Sequence, residues 1–401
     1  MAEHTPSPDP FAPATLGNLT LRNRIIKAAT FEGVMPKGAV SDELIEFHRK
    51  VAAGGVGMTT VAYCATSMSG RVHRDTMVMS EKNIPRLTAL TEAVHAEGAA
   101  VQAQIGHAGY VANQLSNGVK TLGPSTRFAP PAMGIVKGAT LEQIDEIKAD
   151  YVNAARIARD SGFDSVEVHM GHNYFVSSFF SPNLNKRKDS YGGSIENRAR
   201  LAREILEAIR DEVGTDIALT GKLNMVDGVP KGLWINESLQ IAKLLQEDGH
   251  LDALQLTGGS SLKNGMYFFR GPVPMQEFMD AQPKFVALGL KVYGPKIFPT
   301  YPFEEAFFLG EARQFRDKLT MPLILLGGIN KVETIHHAMD EGFEFVAMGR
   351  ALLREPDLIN KFTDGRRDES LCIHCNKCMP TIYSGTRCVI TNPEPIRVKR
   401  A

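Results

Sequence analysis

Short apolar runs alternate with segments of helical pattern about eight times along the chain, and this alternation constrains the fold more than any other feature. The apolar runs predict strands at 24–30, 57–63, 99–105, 164–169, 216–222, 251–257, 322–327 and 343–349. The helical segments between them lie at 41–53, 83–97, 141–161, 194–213, 236–248, 303–318 and 330–341. Strands and helices in strict alternation form parallel sheets through right-handed crossovers. A (β/α)8 barrel needs roughly 250 residues, so we predict a TIM barrel of the α/β class.

Two segments lie outside the regular alternation. Residues 1–365 are expected to form the barrel, with residues 260–302 inserted after the sixth strand. This insertion is rich in aromatic residues and proline, which is typical of a substrate-side cap and equally of a packed surface excursion. Residues 366–401 are predicted to form a short, basic, cysteine-rich C-terminal extension.

The composition is that of an ordinary globular protein and argues against several partners. The 401 residues are 43% hydrophobic, and 45 basic residues balance 45 acidic ones. This balance gives no reason to expect nucleic-acid binding or attraction to an anionic membrane. No stretch approaches the ~18 apolar residues of a membrane span, and the Pro-rich N-terminus lacks the pattern of a secretory signal. We therefore expect a cytoplasmic protein.

Chemically useful side chains follow the predicted strands at their carboxyl ends, where barrel enzymes have their active sites. The fourth strand leads into His169, His172 and Tyr174, two imidazoles and a phenol that can grip and protonate a small molecule. Such a histidine pair by itself is structural about as often as it is catalytic. The other strand ends, which carry Gln104 and Lys222 among others, favour the catalytic interpretation.

Glycines and an arginine follow the last two predicted strands. Gly328 comes after the seventh strand, and Gly349 and Arg350 come after the eighth. These turns are where such barrels bind phosphate, because glycine lets an anion approach backbone N–H groups and arginine adds a charged contact. Either motif alone is explained by a tight turn, but the two together predict a phosphate site.

Lys222 lies in an apolar strand and needs an anionic partner. The edge of a flavin ring becomes negative on reduction and would supply that partner. Gln104 on an inward-pointing strand position is less informative, because a core amide satisfied by its neighbours explains it equally well.

Several of these motifs, in this order, resemble the old yellow enzyme family of FMN-dependent oxidoreductases over residues ~10–365. The resemblance rests on LTLRNRIIKAAT, QIGHAG, the HxxHxY of the fourth strand, SPNLNKRKDSYGGSIENR, GGI and MGRALLREPDL. It implies FMN as cofactor and NAD(P)H as reductant. By position it implies FMN contacts from Ala29, Thr30, Gln104, Lys222, Gly328, Gly349 and Arg350. Lys222 stands where the family usually has arginine, which keeps the charge but loses the planar fork.

The resemblance also assigns catalytic roles. His169 and His172 resemble the paired donors that hold a substrate carbonyl over the flavin, and Tyr174 resembles the proton donor. Hydride addition to an activated alkene builds negative charge on the carbonyl oxygen, which two N–H donors stabilise while a phenol protonates the neighbouring carbon.

Four of the five cysteines crowd near the C-terminal end of the sequence. Cys372, Cys375, Cys378 and Cys388 resemble the [4Fe–4S] ligands of the larger relatives of this family, trimethylamine dehydrogenase and dienoyl-CoA reductase. The interval before the fourth cysteine is somewhat shorter than expected. Thiolates at such spacing ligate iron–sulfur clusters, a tetrahedral zinc site takes the same ligands, and free thiols are the third alternative.

Three functions from two classes follow. The first is an ene-reductase in which NAD(P)H reduces FMN and FMN reduces an α,β-unsaturated carbonyl compound. The second is an FMN/iron–sulfur dehydrogenase of an amine or other small substrate that passes electrons to a partner protein. The third is a phosphate-ligand barrel without redox chemistry, in which Lys222 forms a Schiff base. A small-molecule substrate is expected in each case, and a homo-oligomer is compatible with all three.

Overall fold

The computed structural model describes residues 7–282 and 284–398, and thirteen strands lie in this part of the chain. In chain order they are β1 Ala14–Leu16, β2 Leu19–Leu21, β3 Ile25–Lys27, β4 Met58–Ala65, β5 Ala100–Gly106, β6 Leu122–Gly123, β7 Arg127–Ala129, β8 Gly134–Gly138, β9 Ser165–Met170, β10 Ala218–Asn224, β11 Ala253–Thr257, β12 Leu323–Leu326 and β13 Phe345–Met348.

Eight of these strands close into one parallel barrel in the order β10-β11-β12-β13-β3-β4-β5-β9. These are the eight predicted strands, so the prediction of a (β/α)8 TIM barrel is confirmed. All eight residues of β4 are buried, as expected for a strand that side chains cover on the inside of the barrel and helices cover on the outside. Apolar runs of this kind were recognisable because both faces of a barrel strand exclude water.

The described chain contains fourteen α-helices, most of them packed outside the barrel. They are α1 Asp42–Ala53, α2 Ile84–His95, α3 Gln114–Asn117, α4 Leu141–Asp160, α5 Phe175–Phe180, α6 Ile195–Val213, α7 Ile235–Asp248, α8 Met266–Phe269, α9 Met275–Asp280, α10 Lys284–Ile297, α11 Leu309–Arg316, α12 Val332–Asp340, α13 Arg350–Arg354 and α14 Leu358–Thr363. Side-chain caps explain where several begin. Ser41 and Ser194 cap α1 and α6, and Thr140 with Gln143 forms a capping box on α4.

Three segments are added to the barrel. Strands β1 and β2 form a short antiparallel hairpin before the first barrel strand, and β6, β8 and β7 form a small sheet after β5. The insertion after β11 folds into α8, α9 and α10. The sequence did not predict the small sheet, because its strands have only two to five residues and carry too little periodicity to be recognised.

The cysteine-rich extension packs back against the barrel. Thr386 donates through Oγ1 to the carbonyl of Phe31 (2.5 Å), and Asn376 donates to the carbonyls of Arg270 (2.8 Å) and Pro272 (2.9 Å). The extension therefore contacts both the first barrel loop and the insertion. None of the helices in the described ranges combines the length and apolar character needed to cross a bilayer.

Candidate active site

A cavity of about 930 Å³, including its open mouth, lies at the carboxyl ends of the barrel strands. Seven residues predicted from the sequence line it: Ala29, Thr30, His172, Lys222, Gly328, Gly349 and Arg350. Gln104, His169 and Tyr174, which were also predicted, do not line it. The remaining wall is mainly apolar and includes Phe268 and Phe269 from the insertion, and Cys378, Met379 and Ile382 from the extension. Its size and apolar lining are typical of cofactor sites.

Lys222 brings a positive charge to the cavity wall. Its side chain is 3% exposed, and no hydrogen bond or ion pair to it is found in the described chain. Burial lowers the pKa of Lys222, while the nearby carboxylate of Glu167 acts in the opposite direction. A buried ammonium without an acceptor fits an anionic ligand edge, and the pyrimidine edge of a reduced flavin is one.

Gln104 is held beneath the cavity by a carboxylate that the sequence analysis missed. Its amide nitrogen donates to Oε1 of Glu167 (2.6 Å), and Gln255 donates to Oε2 of the same residue (2.9 Å). Because the amide nitrogen of Gln104 donates to Glu167, the amide oxygen remains as a hydrogen-bond acceptor. The signal was present in the sequence, since a glutamate in the otherwise apolar strand SVEVHM must have buried partners.

Glycines shape the end of the cavity near the last two strands. Gly327 and Gly328 have φ values of 114° and 74°, which favour glycine. A Cβ on Gly328 would lie 2.7 Å from the ring of Phe307, so a larger residue would close the cavity there. Gly349 immediately precedes the short helix α13. Without side chains at these glycines, a phosphate can come close to the backbone N–H groups of this turn.

Arg350 lies between this cavity and a second one. Its guanidinium donates to Oδ1 of Asn376 and to the carbonyl of Arg270 (3.2 Å), and it lies 5.9 Å from the ring of Phe269. Burial lowers the pKa of Arg350. The arginine predicted for a phosphate site is therefore also the residue that joins the barrel to the cysteine-rich extension.

The predicted His/His/Tyr set forms one aromatic cluster beside the cavity. The ring centroid of His169 lies 5.2 Å from that of His172 and 4.5 Å from that of Tyr174. Tyr63 joins the cluster, with its ring 5.4 Å from that of Tyr174. His172 stacks on Phe268 (4.4 Å) and bonds through Nε2 to the hydroxyl of Thr257 (3.0 Å). Of the three predicted residues, His172 reaches the cavity wall, and His169 and Tyr174 pack beside it.

Both imidazoles of the cluster are neutral at physiological pH. Burial lowers the pKa of His172 to about 3, and Lys222 adds to the effect. The pKa of His169 is also well below its usual range because of burial and the nearby His172 and Lys222. Nδ1 of His169 is buried and has no hydrogen-bond partner within the described residues. The pair can therefore offer neutral N–H donors to a ligand.

Buried neutral histidines should make the fold sensitive to acid. Burial lowers the pKa of His107 as well, to about 3. Below pH 6.5 these histidines bind protons in the unfolded chain but stay neutral in the folded protein. Their contribution to the free energy of unfolding is therefore fully present above pH 6.5 and is lost as the pH falls. We expect each of His107 and His172 to contribute about 2 kcal/mol of destabilisation between pH 8 and pH 5. Urea unfolding across this range should show a shallower pH slope for His107→Gln than for wild type, and an unchanged slope would contradict the assignment.

The hydroxyl of Thr30 is engaged in a buried charge network. Nζ of Lys27 donates to Oγ1 of Thr30 (2.8 Å) and to Oε1 of Glu32 (2.7 Å). Despite the opposing effect of burial, which is the largest, Lys27 and His48 bring the pKa of Glu32 down to about 2. This network fixes the loop that follows β3 at the cavity wall, and the sequence analysis did not anticipate it.

The four clustered cysteines line a second cavity, of about 350 Å³, directly behind the first. Arg350, Leu353, His374 and Cys378 border both cavities. Burial raises the pKa of Cys378 to about 12, whereas hydrogen bonds from backbone groups and Arg354 outweigh burial and lower the pKa of Cys388. Among the described residues, no three His, Cys, Asp or Glu side chains lie close enough together to hold a single metal ion. The four sulfurs around one cavity are donors of the kind that an iron–sulfur cluster or a zinc ion takes.

The cavity wall carries a cation, a glycine-rich turn and the imidazole of His172, and these features fit a flavin-dependent oxidoreductase. The sequence profile of the NADH:flavin oxidoreductase / NADH oxidase family matches residues 9–257, and the chain belongs to this family. FMN and NAD(P)H are the cofactor and reductant of the family, as predicted, and the predicted oxidoreductase class is confirmed. The barrel without redox chemistry is thereby rejected.

The similar proteins differ in substrate and length. The chain is 67% identical to a 4,4'-dithiodibutanoate disulfide reductase of Rhodococcus erythropolis, over 98% of this chain and 97% of that protein. It is 31% identical to a metal reductase of Desulforamulus reducens over 93% of this chain, but it spans only 52% of that relative. The old yellow enzyme homologue of Zymomonas mobilis, 22% identical, superposes with a TM-score of 0.71 over 92% of this chain and 96% of the other, and shares the fold.

Proposed function

We propose that this protein uses NADH or NADPH to reduce small electrophilic acceptors, with organic disulfides as the preferred class. The observation that carries this proposal is the 67% identity, over nearly the whole of both chains, to a disulfide reductase. Identity at this level, with matching length, supports a shared substrate class more strongly than the shared fold does.

The overall reaction is RSSR + NADH + H⁺ → 2 RSH + NAD⁺. A bound FMN would supply the hydride chemistry that links the nicotinamide to the acceptor. In this proposal Lys222 and the amide oxygen of Gln104 would serve as cation and hydrogen-bond acceptor for the flavin edge. Gly328, Gly349 and Arg350 would hold the phosphate. His169 and His172 orient the acceptor through neutral N–H groups. Tyr174 gives a proton to the thiolate released when the S–S bond breaks.

The same arrangement supports activated alkenes as a second substrate class. Two neutral imidazole donors suit a carbonyl oxygen on which negative charge develops, and the adjacent phenol suits protonation of carbon. The cluster distances of 5.2 Å and 4.5 Å between the rings favour this role. Residues 260–302 would act as the substrate-side cap, since Phe268 from this segment stacks on His172.

Cys372, Cys375, Cys378 and Cys388 are proposed to hold a [4Fe–4S] cluster. Their cavity shares a wall with the main cavity, which supports electron exchange with the flavin and, through it, with a partner protein. The cysteines of the described chain form no disulfide, which also favours a reducing, cytoplasmic compartment. Acid-labile sulfide and iron in anaerobically purified protein would test the cluster, and zinc or unligated thiols are the other outcomes. Sedimentation velocity would show whether the protein is a homo-oligomer.

Asn376→Ala should weaken FMN binding, because Asn376 holds the guanidinium of Arg350 in place. We expect a loss of roughly tenfold, the effect of one charge-assisted hydrogen bond. Fluorescence quenching of FMN titrated with apoprotein measures it. Asn392→Ala, at an exposed position in the same extension, is the control and should bind FMN normally. Equal affinity of wild type and Asn376→Ala would show that Asn376 does not hold Arg350 in a phosphate-binding position.

Anaerobic turnover assays test the proposed function. Oxidation of NADH and of NADPH should be followed with an organic disulfide, with cyclohexenone, and with an amine plus an artificial acceptor. The proposal predicts the largest kcat/KM with the disulfide and measurable alkene reduction. Turnover with the amine alone would instead support the dehydrogenase alternative.

A further inference from the structure

Three cations from three contacting segments lie near one another, outside the residues that line the cavity. They are Arg127 in β7, Lys186 in the loop after α5, and Lys263 in the loop after β11. None of the three takes part in an ion pair within the described residues, whereas Arg187, next to Lys186 in the sequence, pairs with Asp189. Nε of Arg127 is buried and has no hydrogen-bond partner there. Within the described residues no ion pair balances this positive charge, and Asp227 is the acidic residue that acts on Lys263.

Direct contacts bring the three segments together. Nζ of Lys263 donates to Oδ1 of Asn183 (3.1 Å), three residues before Lys186. The backbone N–H of Lys186 donates to Oγ of Ser125 (2.9 Å), two residues before Arg127. Leu262 packs on the apolar cluster that contains Tyr110 and Leu184. Arg127 and Lys186 both act, with burial, to lower the pKa of Lys263, whereas Asp227 opposes them.

This patch is tied to the active-site cluster through the backbone. The N–H of Ser261 donates to the carbonyl of His172 (3.0 Å), and Lys263 follows two residues later. Two residues span at most about 7 Å along the chain. Lys263 therefore belongs to the loop that contacts the backbone of His172.

We propose that Arg127, Lys186 and Lys263 form a carboxylate-binding subsite for the acceptor. The matching ligand is a disulfide, or another reducible group, with a carboxylate about three methylenes from the reacting atoms. This inference rests on the proposed function, since it names the substrate class of the same site. A lysine or arginine near the site suits the carboxylate end of a ligand, because complementary charges orient the ligand and raise its association rate.

Binding and turnover test the subsite separately. Calorimetry on the oxidised FMN-loaded protein should compare 4,4'-dithiodibutanoate with its uncharged diamide. Lys263→Met should weaken binding of the dicarboxylate roughly tenfold and leave the diamide unchanged. Lys263→Arg should restore binding. Lys243→Met, at an exposed position on the outer helix α7, is the matched control and should behave as wild type.

The outcomes separate the two proposals. Equal binding of the acid and the diamide to wild type, or dicarboxylate affinity unchanged in Lys263→Met, would overturn the subsite. In turnover, the subsite predicts a higher KM for the dicarboxylate in Lys263→Met with kcat nearly unchanged. If wild type binds the dicarboxylate through Lys263 but reduces neither disulfide, the subsite stands and the proposed reaction fails.

Discussion

Lys222→Met is expected to lower FMN affinity by roughly 30-fold and to make the bound flavin harder to reduce by about 40 mV. Lys222 is 3% exposed, lines the cavity, and has no acceptor within the described chain. If it faces the edge where negative charge develops on reduction, its removal costs about 2 kcal/mol more in the reduced state than in the oxidised state. Equilibrium titration against a redox dye measures the potential, and quenching of FMN fluorescence measures the affinity.

The control for Lys222→Met is Lys222→Arg, which keeps the charge and restores the residue usual at this position in the family. It should bind FMN at least as well as wild type. If methionine and lysine gave the same potential, the cation would lie away from the flavin edge, and Lys222 would be a structural residue balanced by Glu167.

Tyr174→Phe is expected to slow reduction of an activated alkene by about 10²- to 10⁴-fold, the usual contribution of a positioned general acid. Reduction of the flavin by NADH needs no proton from this phenol and should be unaffected. Stopped-flow measurement of the two half-reactions separates them. The ring of Tyr174 lies 4.5 Å from that of His169, so the substitution removes a hydroxyl and leaves the aromatic packing in place.

A neighbouring tyrosine supplies the control for Tyr174. Tyr63 packs against the same cluster, but its hydroxyl lies 3.4 Å from the carbonyl of Gly70 and its side chain is only 2% exposed. Tyr63→Phe should therefore retain most of the alkene reduction. Loss of both half-reactions to the same extent in Tyr174→Phe would indicate a packing role and no proton transfer.

The barrel was predictable because its strands are buried on both sides and therefore form unbroken apolar runs. The eight runs from residue 24 to residue 349 all became barrel strands, and cap signals such as Ser194 located helices correctly. The short strands β6–β8 and helix α13 were missed, since two to five residues carry no measurable period. The insertion helices α8, α9 and α10 were not predicted, since residues 260–302 carry only weak periodicity.

The candidate site was predictable only as a set of strand ends. Chain order placed Lys222, Gly328 and Arg350 at one mouth, and the structure brings these three to one cavity. Which side chains lie opposite each other on neighbouring strands could not be predicted from the sequence, because this depends on the register of the strands. Gln104 lies opposite Glu167 through the pairing of β5 with β9, and this contact turns the amide toward the carboxylate. The return of Cys378 to the same cavity likewise depends on tertiary packing.

An anaerobic spectral titration tests the central claim that the barrel mouth holds a redox-active FMN. We predict that purified protein is yellow with one FMN per chain, that NADH or NADPH bleaches the flavin band, and that an organic disulfide restores it while two thiols appear per NADH consumed. A colourless chain that takes up no added FMN, or a bound flavin that NADH and NADPH leave oxidised, would contradict the account.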